Sequence, residues 1–366
     1  MTQTQRLPLH DHHARMGAKF MEFAGWEVPL QYTTIVEEHH AVRKAAGVFD
    51  VSHMGKFQIR GEGAYDFLEL VLSNGLRKIS DGRALYSLLL NEQGGVVDDV
   101  IVYQISRTHF FMIVNAATRE KDFRWLETHK PENVELTDES SAKTILAVQG
   151  PRSEAIVSGI FRHNFKELRP FQFGFFDFSG ESVFVAATGY TGERGFEIVG
   201  LRENTPAIFE RIFETGRAYG IRPAGFGARD TLRLEAKYLL YGQDMDDQTT
   251  PLEATLEWAL DFSKNFIGRE ALWKQMDSGL LRRLAGFELI NTGVARHGHE
   301  IVSGGQTIGV VTSGTFSPTF QKSIGLAYVP VEQGVMGNEL DVKIRDKFIK
   351  AKVVKLPFYS RHRNDF

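Results

Sequence analysis

Two adjacent carboxylates, Asp98 and Asp99, lie inside an otherwise apolar stretch, Val96-Val-Asp-Asp-Val-Ile-Val-Tyr103. Before it run Leu88-Leu-Leu90 and then Asn91-Glu-Gln-Gly-Gly95, a polar loop ending in two glycines. The pattern predicts a β-hairpin, because glycine supplies the positive φ that tight reversals require. Side chains alternate along a strand, so Val97, Asp99, Ile101 and Tyr103 share one face and Val96, Asp98, Val100 and Val102 the other. Neither face is polar, so both read as buried and each carries one carboxylate. An ionised carboxylate taken out of water costs several kcal/mol unless it is paired, so each of these either caps or pairs structurally or does chemistry. A third acid, Glu197, stands between Phe196 and Ile198 at the start of a strand, where it points to the face opposite theirs, a wet face or a binding one. Arg229 and Arg233 are one turn apart on a predicted helix. Arg229 falls in the first turn, where the helix dipole disfavours a cation, which suggests an anion to hold or a surface ion pair.

Composition narrows the chemistry. There is no cysteine among the 366 residues, which excludes disulfides, thiolate nucleophiles, zinc-thiolate sites and iron-sulfur ligation. A formal net charge of -3 supplies no global field for nucleic acid or an anionic membrane, so neither is an expected partner. His39-His40, like His10, His12 and His13, lacks the His-Glu-x-x-His spacing, and these histidines read as packed or solvated with no metal site. Asp244, Asp246 and Asp247 lack the glycine and distal glutamate of a calcium loop and read as a solvated turn. Gly189, Gly192 and Gly195 could cradle phosphate, but the Gly-Lys-Ser/Thr ending of a phosphate loop is missing. No signal-peptide or membrane-spanning run occurs, so a cytoplasmic location is expected.

The positioning elements follow in order. Thr33 to Ala46 predicts a helix with a capping box at Thr34-Ile-Val-Glu37 and Gly47 as its stop. Val48 to Ile59 reads as one strand interrupted by Gly55, and Gly63 to Leu72 as an amphipathic helix. Phe110 to Val114 is a strand, and Asn115 then caps the helix at Arg119 to Leu126 or offers a ligand an amide. Ile145 to Val148 is a strand, Pro151 lies near a helix start, and Val183 to Ile198 is a glycine-rich hairpin. Thr205-Pro206 opens a helix as cap and first-turn proline. Beyond about Leu280 the helical period vanishes and short alternating runs predict a separate all-β barrel or sandwich of about 85 residues.

The motifs Asp50-Val-Ser-His-Met-Gly55, Asn91-Glu-Gln-Gly-Gly-Val-Val-Asp-Asp99, Val114-Asn-Ala-Ala117, Gln149-Gly-Pro151, Gly189-Tyr-Thr-Gly-Glu193, Gly227-Ala-Arg-Asp-Thr-Leu-Arg-Leu-Glu-Ala236 and Tyr241-Gly-Gln-Asp-Met-Asp246 stand in one register. In order and spacing the chain resembles the aminomethyltransferase family of the glycine cleavage system, from about Pro8 to Tyr359. The resemblance implies an α+β fold of three domains, two α+β lobes and a C-terminal all-β barrel around a central cofactor cavity. It divides the chain into residues 1–279, with the second of two interleaved lobes including about 53–135, and the barrel at 280–366. It also implies transfer of the methylene carbon of an aminomethyl group, carried on the lipoyl arm of H-protein, to tetrahydrofolate with release of ammonia. By the same resemblance Asp99 is the critical carboxylate. Folate contacts carry over to Met54, Tyr86, Asn115, Tyr190, Glu197, Arg229 and Tyr238, with Arg361 and Arg363 both candidates for a contact in the tail. The chain departs at Arg194, where the family commonly has an acid, and a turn position that tunes rim charge is expected. A related folate-dependent demethylase and a noncatalytic folate-binding protein are the alternatives.

Overall fold

Strands Arg83–Leu90 and Val96–Ser106 are neighbours in a five-stranded sheet of the computed structural model, which describes residues 4–361. The hairpin turns as its glycines predict. Gly94 takes φ +84°, and Asn91 Oδ1 accepts from the amides of Gln93 at 3.0 Å and Gly95 at 2.9 Å. One short side chain thus satisfies two amides that the reversal would otherwise leave unpaired. The same sheet continues through His109–Val114, Gly55–Arg60 and Glu135–Asp138.

A six-stranded sheet runs in the order Phe173–Phe178, Glu181–Ala186, Gly195–Leu201, Lys143–Gln149, Ala46–Asp50, Ile221–Pro223. All five residues of Ala46–Asp50 are buried, as befits an inner strand covered on both faces. Helices Ser153–Phe161 and Thr205–Gly216 supply Ile156, Ile160, Ile208 and Ile212, spaced one turn apart, to the core that Val48, Leu146, Val148, Phe196 and Ile198 offer from the sheet. The predicted barrel is present: Arg282–Leu289, Lys322–Pro330, Gln306–Ser317, Glu300–Ser303, Glu339–Ile344 and Lys347–Val354 close on themselves. Phe287, Ile301, Val311, Val329, Val342 and Val353 fill its interior. The chain therefore has a mixed α and β architecture with a closed six-stranded C-terminal barrel.

By contact density the chain divides into two compact units. One comprises Met1–Val71, Leu76–Ser87 and Val100–Asp230; the other comprises Leu72–Gly75, Leu88–Asp99 and Thr231–Phe366.

Several local expectations are corrected. Val48 to Ile59 is two strands, Ala46–Asp50 and Gly55–Arg60, in different sheets. Gly55 begins the second strand, where an added Cβ would lie 2.4 Å from Val114 Cγ2. The helix at Ile35–Lys44 is capped by Thr34, whose side chain accepts from the Glu37 amide at 3.2 Å, but Gly47 does not stop it. Gly47 sits in the following strand and lets it approach the helix, since a Cβ there would meet Val42 Cγ2 at 2.5 Å. In two later helices the N-cap positions fall on Thr118 and Asn204, neither of which makes a capping side-chain hydrogen bond, rather than on Asn115 and Thr205.

Lys56 illustrates what burial does to a charge. It is fully buried in Gly55–Arg60, its Nζ donates to Ser52 O at 2.8 Å, and burial lowers its pKa from 10.5 to about 7. Between those two values the unfolded chain holds a proton that the folded chain lacks, so stability rises with pH across that window. Lys56→Met should flatten this rise, which is on the order of a few kcal/mol. Urea denaturation of both proteins at pH 7, 8.5 and 10 checks it; parallel stability profiles would rule the assignment out.

Candidate functional site

Glu197 lies in Gly195–Leu201, opposite Ala147 on one neighbouring strand and Ala186 on the other. The glutamate is 8 % exposed, so of the two alternatives the wet face does not hold. Thr188 Oγ1 donates to Glu197 Oε2 at 2.5 Å, and Tyr103 Oη lies 3.3 Å from Thr188 Oγ1. The threonine hydroxyl has one proton and gives it to the carboxylate, so the tyrosine is the donor in the second contact. Burial pushes the Glu197 carboxyl above the usual range, while the Thr188 hydrogen bond and the Arg229 charge oppose that rise. Burial, and then the nearby Glu197, likewise push the Tyr103 phenol well up, so it stays a neutral donor.

Arg229 comes from helix Phe226–Glu235, and its guanidinium carbon sits 4.5 Å from the centre of the Tyr190 ring. Stacking on an aromatic face suits a planar, weakly hydrated cation. Tyr190 itself stands in the loop between Glu181–Ala186 and Gly195–Leu201, and that loop is fastened from two sides. Gln149 donates to Thr188 O at 3.2 Å and accepts from Thr191 Oγ1 at 3.0 Å. Arg43 donates to Thr191 O at 2.6 Å and pairs with Glu193 at 3.0 Å, both side chains being nearly buried. Gly189 and Gly195 make room for the glutamine: a Cβ on either would lie 2.0 and 2.2 Å from its amide. Close approach of a side chain, rather than a phosphate, accounts for these two glycines.

Arg194 is corrected as well. Its guanidinium donates to Phe165 O at 3.3 Å and Leu168 O at 2.5 Å and lies 4.7 Å from the Phe196 ring centre. It fastens the segment after helix Ser153–Phe161 instead of tuning rim charge.

The remaining sequence-predicted residues are placed as follows. Gly55 pairs with Val114, which sets Met54 and Asn115, both half-buried, side by side at one end of the sheet. Tyr86 is half-buried in Arg83–Leu90. Met54, Tyr86, Asn115, Tyr190, Glu197 and Arg229 belong to the first unit, while Asp99, Tyr238 and Arg361 belong to the second. Asp98 is 0 % exposed and Asp99 is half-buried, so the two carboxylates that read alike in sequence differ in access to a ligand. Tyr238 is 40 % exposed, Arg361 is half-buried, and Arg363 lies outside the described residues. The solvated-turn reading fails for Asp244, which is fully buried against Arg233, and the anion that Arg233 holds is therefore an internal one. Asp246 and Asp247 are exposed as expected. Sequence reasoning missed Thr188, Tyr103, Gln149 and Arg43 as supports of the site. Gln149 and Thr188 stand next to glycines in the sequence, but no local signal brings Tyr103 or Arg43 to the loop around Thr188, because the contacts join segments far apart in the chain.

The sequence matches the GCVT N-terminal domain over residues 9–264 and the glycine cleavage T-protein C-terminal barrel domain over residues 282–360. An aminomethyltransferase of Thermosynechococcus vestitus is 46 % identical over 362 residues, covering 98 % of this chain and 97 % of the relative. One from Thermoanaerobacter pseudethanolicus is 43 % identical with 99 % of each chain covered. Among solved structures, the glycine cleavage system aminomethyltransferase T from Bartonella henselae aligns with a TM-score of 0.91 at 34 % identity, covering 98 % of this chain and 99 % of that one. A buried, hydroxyl-bonded glutamate and a ring-stacked arginine thus sit on a framework shared end to end with these enzymes, and the chain belongs to the aminomethyltransferase family of the glycine cleavage system.

Proposed function

We propose that this chain transfers the methylene carbon of an aminomethyl group, held as a thioether on the lipoyl arm of H-protein, to tetrahydrofolate in the cytoplasm. The carbon–sulfur and carbon–nitrogen bonds of the donor break, and two bonds to folate nitrogens form. The two protons leaving those nitrogens appear on the lipoyl thiol and on ammonia, so the reaction needs no oxidant. Bringing two bound groups into reacting geometry can supply roughly 7–11 kcal/mol, which suits a site without a cysteine nucleophile.

The observation that carries this reading is the buried Glu197, held by Thr188 beside the Arg229–Tyr190 stack, in a chain of this family. A buried carboxylate fits the donor-rich edge of a pterin, an aromatic ring fits its face, and a guanidinium fits a polar or anionic group. Glu197 therefore holds the pterin edge, and Tyr190 and Tyr86 flank the ring. Arg229 secures a charged or polar substituent, and Met54 and Asn115 complete the contacts of the first unit. The family resemblance adds Asp99, as the group that acts on the reacting nitrogens, and Tyr238 with Arg361 or Arg363, as further folate contacts.

Mixing the purified protein with aminomethylated H-protein and tetrahydrofolate should release ammonia in proportion to donor consumed. Folate binding without ammonia would mark a noncatalytic binding protein and sink the proposal. Glu197→Gln keeps the shape and removes the charge, so folate affinity should fall about tenfold or more while turnover at saturating folate changes less. Unchanged affinity by calorimetry would remove Glu197 from the contact set.

A further inference from the structure

A carboxylate that takes up a ligand works through the lone pairs its own protein leaves open, and the fold treats the two oxygens of Glu197 differently. Oε2 accepts from Thr188 Oγ1 at 2.5 Å. Among the described residues none donates to Oε1, and Oε1 is not one of the polar atoms sealed from solvent without a partner. The threonine is held in place from behind. Its Oγ1 receives the Tyr103 hydroxyl at 3.3 Å, and Gln149 donates to its backbone oxygen at 3.2 Å. Tyr103 is fully buried against the edges of Phe173 and Phe184, with ring centres 5.5 and 5.1 Å away, so that donor is fixed as well. Protons therefore run one way, from phenol to hydroxyl to carboxylate.

A hydroxyl that can only donate favours the ionised form of the acid it meets. Burial pushes the Glu197 carboxyl up, and the Thr188 bond is the first of the two influences that oppose it, ahead of the Arg229 charge. The titratable and charged groups packed round Glu197 are Tyr103 from Val96–Ser106 and Arg229 from Phe226–Glu235, with Tyr190 stacked on the guanidinium. Ala147 and Ala186, its partners on the neighbouring strands, carry none. Arg229 keeps its charge at any working pH and burial holds the Tyr103 phenol neutral, so Glu197 is the group whose state can change.

We propose that Thr188 is a positioning residue of the folate site, its one proton committed to Oε2 so that Glu197 stands as a carboxylate with Oε1 left for the donor-rich edge of the pterin. The inference rests on the folate reading above. Thr188 acts through Glu197 and need not touch the ligand.

Tetrahydrofolate affinity is measured by calorimetry between pH 4 and pH 9 for the parent, Glu197→Gln, Thr188→Val and Thr188→Ser. Each affinity is divided by that of Glu197→Gln, so that the ligand's own titration cancels. The parental ratio should fall as pH drops through the Glu197 pKa, because only the carboxylate accepts from both sides at once. Thr188→Val removes an influence that opposes burial, so its fall should lie about one to two pH units higher. Thr188→Ser keeps the hydroxyl and should follow the parent. A loosened site alone would lower affinity equally at every pH and leave the midpoint where it was. Valine also strands the Tyr103 hydroxyl, so Thr188→Val combined with Tyr103→Phe is measured beside it and should recover melting temperature while keeping the raised midpoint. A midpoint unmoved in the valine proteins overturns the inference, as does a serine variant displaced as far as valine or a parental ratio that does not change with pH. Absence of folate binding by the parent overturns the folate reading and this inference together, whereas parental binding with any of those three results overturns this inference alone.

Discussion

Asp99→Asn should lower turnover by about 10²- to 10⁴-fold while leaving the melting temperature within a degree or two of the parent. The two aspartates share a strand, but only Asp99 is half-buried; Asp98 is sealed at 0 % exposure. A carboxylate that acts on a ligand must be reachable, and one that serves the fold need not be. As a carboxylate, Asp99 would accept hydrogen bonds from the folate near its reacting nitrogens and stabilise the positive charge that develops during transfer. It would also take up a proton as a nitrogen is alkylated. The amide of asparagine keeps the shape but loses the charge and the basicity. Asp98→Asn is the control: it should lower stability and leave turnover per folded molecule close to the parent value. Ammonia release under saturating folate and H-protein, read beside thermal melts, distinguishes the two. Equal turnover in the parent and Asp99→Asn would end the catalytic assignment.

Asp244→Ala should cost about 3–5 kcal/mol of unfolding free energy, the largest stability loss expected at a single position here. Arg233 and Asp244 are 1 % and 0 % exposed and pair at 2.5 Å. Around them Asp244 also accepts from the Leu240 amide at 2.9 Å and from Thr312 Oγ1 at 2.6 Å, while Arg233 donates to Ser313 Oγ at 2.8 Å. The network ties helix Phe226–Glu235 and the turn after it to the barrel strand Gln306–Ser317. Removing the aspartate strands a buried guanidinium, which is the expensive half of breaking such a pair. Arg233→Met combined with Asp244→Leu takes out both charges and should lose markedly less than Asp244→Ala alone. Denaturant titration of the single and double variants tests this; a double variant as unstable as the single one would show that the stranded charge is not the cause.

The contrast between Asp99 and Asp244 marks how far a linear reading reaches. The hairpin was legible because its glycines and its apolar alternation are local, and turn geometry acts over a few residues. The barrel was legible for the same reason, from short alternating runs between turn signals. Asp244 was misread as solvated because a run of acids near a glycine has the composition of a turn, and its partner Thr312 is 68 residues away. Likewise nothing in the local pattern divides Val48 to Ile59 between two sheets, since strand pairing is decided by partners such as Leu146 and Val114 far along the chain.

What the sequence determined by itself was the menu of chemistry: carboxylates, guanidinium and phenol without any thiol, set at motif spacings that name a family. Tertiary structure alone decided which of those groups are reachable and what holds them. It sealed Asp98 and left Asp99 half-open, bonded Glu197 to a threonine across a loop, and stacked Arg229 on Tyr190. The physical reason is that burial, and with it pKa and hydrogen-bond satisfaction, is a property of packing between distant segments, whereas the types and spacing of residues are fixed along the chain.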